Sequence, residues 1–92
     1  MATTKFTKQP GEVLDYDVDF RTWLQGRSDT AASYEVVTEP GVTLVADTMV
    51  NAVVKLILSA GTHGEKYKVT VRMTTAAGLV KEADFLLVIK EV

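Results

Sequence analysis

Leu14-Asp15-Tyr16-Asp17-Val18-Asp19-Phe20 alternates an apolar side chain with a carboxylate at every step. Successive side chains of a β-strand point to opposite faces, so this stretch reads as a half-buried strand with its apolar groups turned inward and its aspartates in water. The same period of two recurs in segments rich in Val, Thr, Ile, Phe and Tyr, whereas helical spacing is almost absent. The chain is therefore expected to be all-β.

Downstream, Arg21-Thr22-Trp23-Leu24-Gln25-Gly26 is expected to make one helical turn that folds Trp23 and Leu24 back over the core and stops at Gly26. A strand over Thr30–Thr38, with Ala32, Tyr34 and Val36 on one face, ends at Glu39-Pro40-Gly41, where proline fixes φ and glycine tolerates positive φ. Val42–Ala46 reads as a short strand, and Asp47-Thr48 leads into another over Met49–Ser59. In that strand Val50, Ala52, Val54, Leu56 and Leu58 share one face, and Asn51, Val53, Lys55, Ile57 and Ser59 share the other. After the turn Ser59–Lys66, Tyr67, Val69, Val71 and Met73 alternate with Lys68, Thr70, Arg72 and Thr74. Ala76-Ala77-Gly78 then turns the chain into a last strand over Leu79–Lys90. About seven short strands with turn signals roughly every 8–12 residues predict an immunoglobulin-like antiparallel β-sandwich of two sheets. Residues 1–92 are read as one domain, with 1–11 as a flexible N-terminal arm.

Composition removes most chemistry. The 92 residues include no cysteine and a single histidine, His63, which excludes disulfides, Cys-built zinc or iron–sulfur sites and a multi-histidine metal centre. Ten basic against twelve acidic side chains leave a net charge of −2, without the basic excess that nucleic acid binding needs. With 47% hydrophobic residues and two prolines the chain is expected to fold. Met1-Ala2-Thr3-Thr4-Lys5 lacks the apolar run of a signal peptide, and nothing approaches the ~18 consecutive apolar residues of a membrane span.

The remaining candidates have plain structural readings. Asp15, Asp17 and Asp19 have the opening spacing of a calcium loop, but Phe20 and Gly26 stand where such a loop needs glycine and a bidentate glutamate. His63, with Ser59, Thr62 and Glu65 nearby, reads as an exposed turn residue, because a nucleophilic site needs a concave pocket as well. Gly61, Gly64 and Gly78 precede strands rather than a helix, so no phosphate loop is formed. Lys66, Lys68 and Arg72, joined by Lys81 and offset by Glu82 and Asp84, read as a solvated face. Gly64-Glu65-Lys66-Tyr67 fits either a tyrosine corner or simply the first inward residue of a strand. No catalytic residue, cofactor or metal is expected.

Alternation leaves one thing unexplained. Val53 and Ile57 fall on the outward side of one strand, and Leu86 and Val88 on the outward side of another. Contiguous exposed apolar groups mark an interaction surface. Either Trp23 and Leu24 cover Leu86 and Val88 within the chain or another subunit does. Trp23, Val53, Ile57, Leu86 and Val88 are the expected interface residues.

Three stretches carry a family resemblance: Pro10-Gly11-Glu12-Val13 through Arg21-Thr22-Trp23-Leu24, Leu58-Ser59-Ala60-Gly61-Thr62-His63-Gly64-Glu65-Lys66-Tyr67-Lys68-Val69-Thr70, and Thr74-Thr75-Ala76-Ala77-Gly78. Together they resemble the fibre–tail adaptor proteins of tailed bacteriophages, small virion proteins with an immunoglobulin-like fold. Two places depart from that pattern: Gln25-Gly26-Arg27-Ser28-Asp29 is more charged than the usual glycine-rich turn, and Ala60 stands where a glycine is common. The resemblance implies a non-enzymatic, multi-copy part of the virion tail region, folded in the bacterial cytoplasm before assembly. Its partners would be other tail, neck or fibre proteins, with no nucleic acid and no membrane. A capsid-decorating or other binding domain on the particle is the alternative.

Overall fold

The computed structural model describes residues 4–91. It contains β1 (Thr4–Lys8), β2 (Leu14–Asp19), α1 (Arg21–Gln25), β3 (Ala31–Thr38), β4 (Val42–Val50), β5 (Val53–Ala60), β6 (Lys66–Thr75) and β7 (Val80–Ile89). The strands form two sheets, one in the order β1-β7-β6-β3 and the other in the order β2-β5-β4. The expected all-β sandwich is present. The groupings β2-β5-β4 and β7-β6-β3 follow the strand order of an immunoglobulin-type sandwich, with the first strand moved to the β7 edge.

That first strand lies within the expected arm. Residues 1–3 and 92 are outside the described residues, but Thr4–Lys8 is β1 and pairs parallel with β7, from Thr4 opposite Phe85 to Lys8 opposite Ile89. The sandwich is thus not wholly antiparallel. Phe6 holds the strand down: its ring centroid is 5.1 Å from that of Tyr16 and 5.3 Å from that of Phe85, which closes the side between the β1 and β2 edges. Lys8, next on the same inward row, is fully covered, and its Nζ donates to the carbonyl of Gln9 at 2.6 Å. Burial pushes the Lys8 pKa down, with the Glu12 carboxylate opposing the shift. An inward row of Thr4, Phe6 and Lys8 carries too little hydrophobic signal to be read as a strand from sequence.

The core lies between the sheets. Val54, Leu56 and Leu58 of β5 meet Val69, Val71 and Met73 of β6 and Leu87 and Ile89 of β7, all fully buried. Each side chain so buried contributes ~1.5–3 kcal/mol, and in a chain without cysteine this packing holds the sheets together. At the rim of the core, Tyr34 of β3 donates from its hydroxyl to Asp47 Oδ2 of β4 at 2.6 Å, tying the sheets at their other side.

Two strands differ from expectation. Met49–Ser59 is not one strand: β4 runs through Val50, and Asn51-Ala52, both at positive φ, turn the chain into β5. Positive φ at both central residues is what a two-residue I′ hairpin needs, and Asn-Ala lacks the glycine that would announce it. The turn takes Val50 out of the inward row, leaving it 64% exposed opposite Val53. In β3, a register shift between Ala31 and Ser33 leaves Ala32 exposed, while Ala31, Tyr34 and Val36 pack on the core. The helix forms as expected, but the residue with positive φ after it is Ser28 rather than Gly26.

Candidate docking surfaces

The side chains singled out from sequence fall on the two outer faces and at both ends of the sandwich. On the outer face of the four-stranded sheet, Leu86 stands between Lys5 and Lys68, and Val88 between Thr7 and Lys66. Both apolar residues are half-buried. A lysine stem lies along apolar surface while its ammonium stays in water, which accounts for partial cover of this kind. Trp23 is on the other side of the sheet. The Arg27 guanidinium lies over its ring at 4.8 Å, and Lys81 Nζ is 5.6 Å from the ring centroid. Lys81 pairs with buried Met73 on the inward row, so Trp23 packs at the end of the core and not over Leu86 and Val88. For the same reason Lys81 does not join the basic strip.

Most charges on this face are matched. Arg72 reaches Glu35 at 2.6 Å and Glu82 at 2.8 Å, and Lys68 reaches Asp84 at 3.6 Å. The hydrogen bond that Arg72 donates to Glu82, with the Glu35 carboxylate adding to it, keeps the Arg72 pKa above its usual value. Among the described residues Lys5 and Lys66 have no ion-pair partner.

The outer face of the three-stranded sheet is built from the rows Asp19–Val53–Val50, Asp17–Lys55–Thr48 and Asp15–Ile57–Ala46. Val53 and Ile57 are half-buried, so exposed Val50 presents more of its apolar surface than either. Sequence reasoning missed Val50 because the hairpin at Asn51 was unrecognised. It missed Val45, 54% exposed, because the chain bulges between Leu44 and Ala46. The three aspartates face water along the β2 edge. Asp15 is 3.8 Å from Lys55, Asp19 is held by Arg21 at 2.7 Å, and Asp17 has no ion-pair partner among the described residues. The Arg21 hydrogen bonds, from side chain first and then backbone, hold the Asp19 carboxyl down to about 2. No group of three His, Cys, Asp or Glu able to hold a metal ion occurs among the described residues.

Tyr67 and Gly64 are at the opposite end from α1. The buried Tyr67 hydroxyl accepts the Thr62 N–H at 3.1 Å, five residues upstream, and the Gly64 N–H donates to the Ile89 carbonyl at 2.8 Å. The ring rests on Gly41 in the β3–β4 turn: a Cβ there would lie 2.8 Å from Tyr67 Cε1, at a φ of +112° that side chains rarely adopt. His63 is exposed, and its Nδ1 accepts the Glu91 N–H at 2.9 Å. At the α1 end an open groove of about 470 Å³ runs between Leu24, Met49 and Ala52, with Arg21, Gln25 and Asp29 at its rim.

These observations define a small cysteine-free β-sandwich whose candidate groups lie on its outer sheet faces. The chain belongs to the family described as podophage GP4 fiber-tail adaptor protein gp77, whose model matches residues 8–88, from the end of β1 almost to the end of β7. No curated protein matches it. No described helix is long and apolar enough to cross a membrane.

Proposed function

We propose that this protein is a non-enzymatic structural part of a podophage particle that holds tail fibres to the tail. It acts in several copies, each a single domain folded in the bacterial cytoplasm before assembly. The observation that carries this reading is the family match, which covers β2 through nearly all of β7 and with them most of both outer faces. Apolar side chains on these faces support docking by side-chain packing, with other tail, neck or fibre proteins as partners. Leu86 and Val88 contribute on one face, and Val53 and Ile57, with Val50 added, on the other. Trp23 contributes through the α1 end, where it is half-buried.

Particles assembled without this protein are expected to carry no fibres and to regain them when the purified chain is added. Leu86→Glu should weaken that rescue while the variant stays folded by circular dichroism. Particles that keep their fibres in its absence overturn the reading, and saturable binding to heads without effect on fibres replaces it with capsid decoration.

A further inference from the structure

We infer that the two outer faces of this sandwich dock onto one another, so that copies of the chain associate head to tail. The charges left without partners differ in sign between the faces. Lys5 and Lys66 lie one strand to either side of Leu86 and Val88, and neither has an ion-pair partner among the described residues. On the opposite face, Asp17 has none and Asp15 meets Lys55 only at 3.8 Å, beside apolar Ile57 on one side of Lys55 and Val53 with Val50 on the other. One face therefore presents an apolar centre with cationic flanks, the other apolar side chains on either side of Lys55 with an anionic flank along β2. Placed together, they bury apolar surface against apolar surface and give each unpaired lysine a carboxylate.

Size permits it. The molecule measures 43 × 27 × 18 Å, so each broad face has room for the ~800 Å² per partner that a standard interface buries. The strand edges, in contrast, are guarded: β1 is short, β2 carries its aspartates, and β3 and β4 are bulged. An interface between two different faces of one chain is heterologous. It builds a ring where the rotation between copies closes and a filament where it does not. The inference deepens the adaptor reading, which supplies its setting on the particle.

The test uses sedimentation of the full chain and two charge-reversed variants, K5E/K66E and D15K/D17K, all at exposed positions. Wild type is expected to associate beyond the dimer with rising concentration, and less so at high salt, where the pairs are screened. Each variant alone should be monomeric, with unchanged circular dichroism. Their mixture should regain association, because each supplies the face the other has lost. Wild type that stays monomeric up to millimolar concentration, a variant that associates as wild type does, or a mixture that stays monomeric overturns the proposal. Fibre rescue by a chain that does not self-associate would overturn head-to-tail docking and leave the adaptor reading standing.

Discussion

Two tyrosines in this sandwich show that burial and hydrogen bonding are separate matters. Tyr16 and Tyr67 are equally buried at 8% exposure, but the Tyr67 hydroxyl accepts the Thr62 N–H whereas the Tyr16 hydroxyl has no partner among the described residues. Burial, with Glu12 and Asp15 adding to it, accordingly pushes the Tyr16 pKa up. An unpaired buried hydroxyl costs free energy, whereas a made hydrogen bond contributes ~1 kcal/mol. Tyr16→Phe is therefore expected to leave stability unchanged or raise it, and Tyr67→Phe to lower it by about 1 kcal/mol, in urea titrations of both variants. Equal losses would mean that the two hydroxyls are equivalent. Asp19 supplies a second test at this scale. Its carboxyl sits at about 2, below the ordinary 3.8, because it accepts hydrogen bonds from the Arg21 side chain and backbone. A depressed folded value means that the contribution is present above pH 3.8 and disappears as pH falls through about 2. Titration followed by NMR should find Asp19 ionised well below the usual carboxylate range, and Arg21→Ala should return it toward 3.8.

At the scale of elements, alternation was legible wherever a strand has one wet face and one dry face. β2, β6 and β7 were readable for that reason, and so was α1, which interrupts the period between β2 and β3. What escaped notice was local backbone geometry. The β4–β5 hairpin turns on Asn51 and Ala52, and the bulges in β3 and β4 shift the alternation by one residue without any glycine or proline as a mark. β1 was hidden because parallel pairing with β7 needs only Phe6 to anchor it. The outward apolar side chains were half legible for the same cause: Leu86, Val88, Val53 and Ile57 follow from alternation, whereas Val50 and Val45 require the hairpin and the bulge. Ala60 ends β5 at φ +66°, exposed, next to Gly61, whose own Cβ would meet Ile89 Cγ1 at 2.6 Å. An alanine at positive φ costs ~1–2 kcal/mol, and replacing it by glycine gives back ~0.4–1 kcal/mol through the freer unfolded chain. Ala60→Gly is expected to stabilise by about 0.5 kcal/mol, seen as a higher Tm; a lower Tm would show that the strain is absorbed elsewhere in the turn.

For the molecule as a whole, the distribution of charge matters more than its total of −2. Opposite broad faces carry opposite unpaired charges, and each of the four sheet edges carries some device against pairing with another copy. The proposed docking thus uses the faces and not the edges, which suits a part that meets its neighbours in a defined geometry. On β2 the device is charge alone, because that strand is regular and unbulged. Replacing Asp15 and Asp17 by threonine keeps the alternation and raises β propensity while removing the guard. The doubly substituted chain is expected to keep its circular dichroism spectrum but to form irreversible, thioflavin-binding aggregates as concentration rises. Glu65→Gln with Glu91→Gln changes net charge by the same amount at exposed positions outside every strand. If this control aggregates equally, solubility depends on total charge. If it stays soluble while the β2 variant aggregates, the aspartates that first identify β2 as a strand also prevent it from recruiting another.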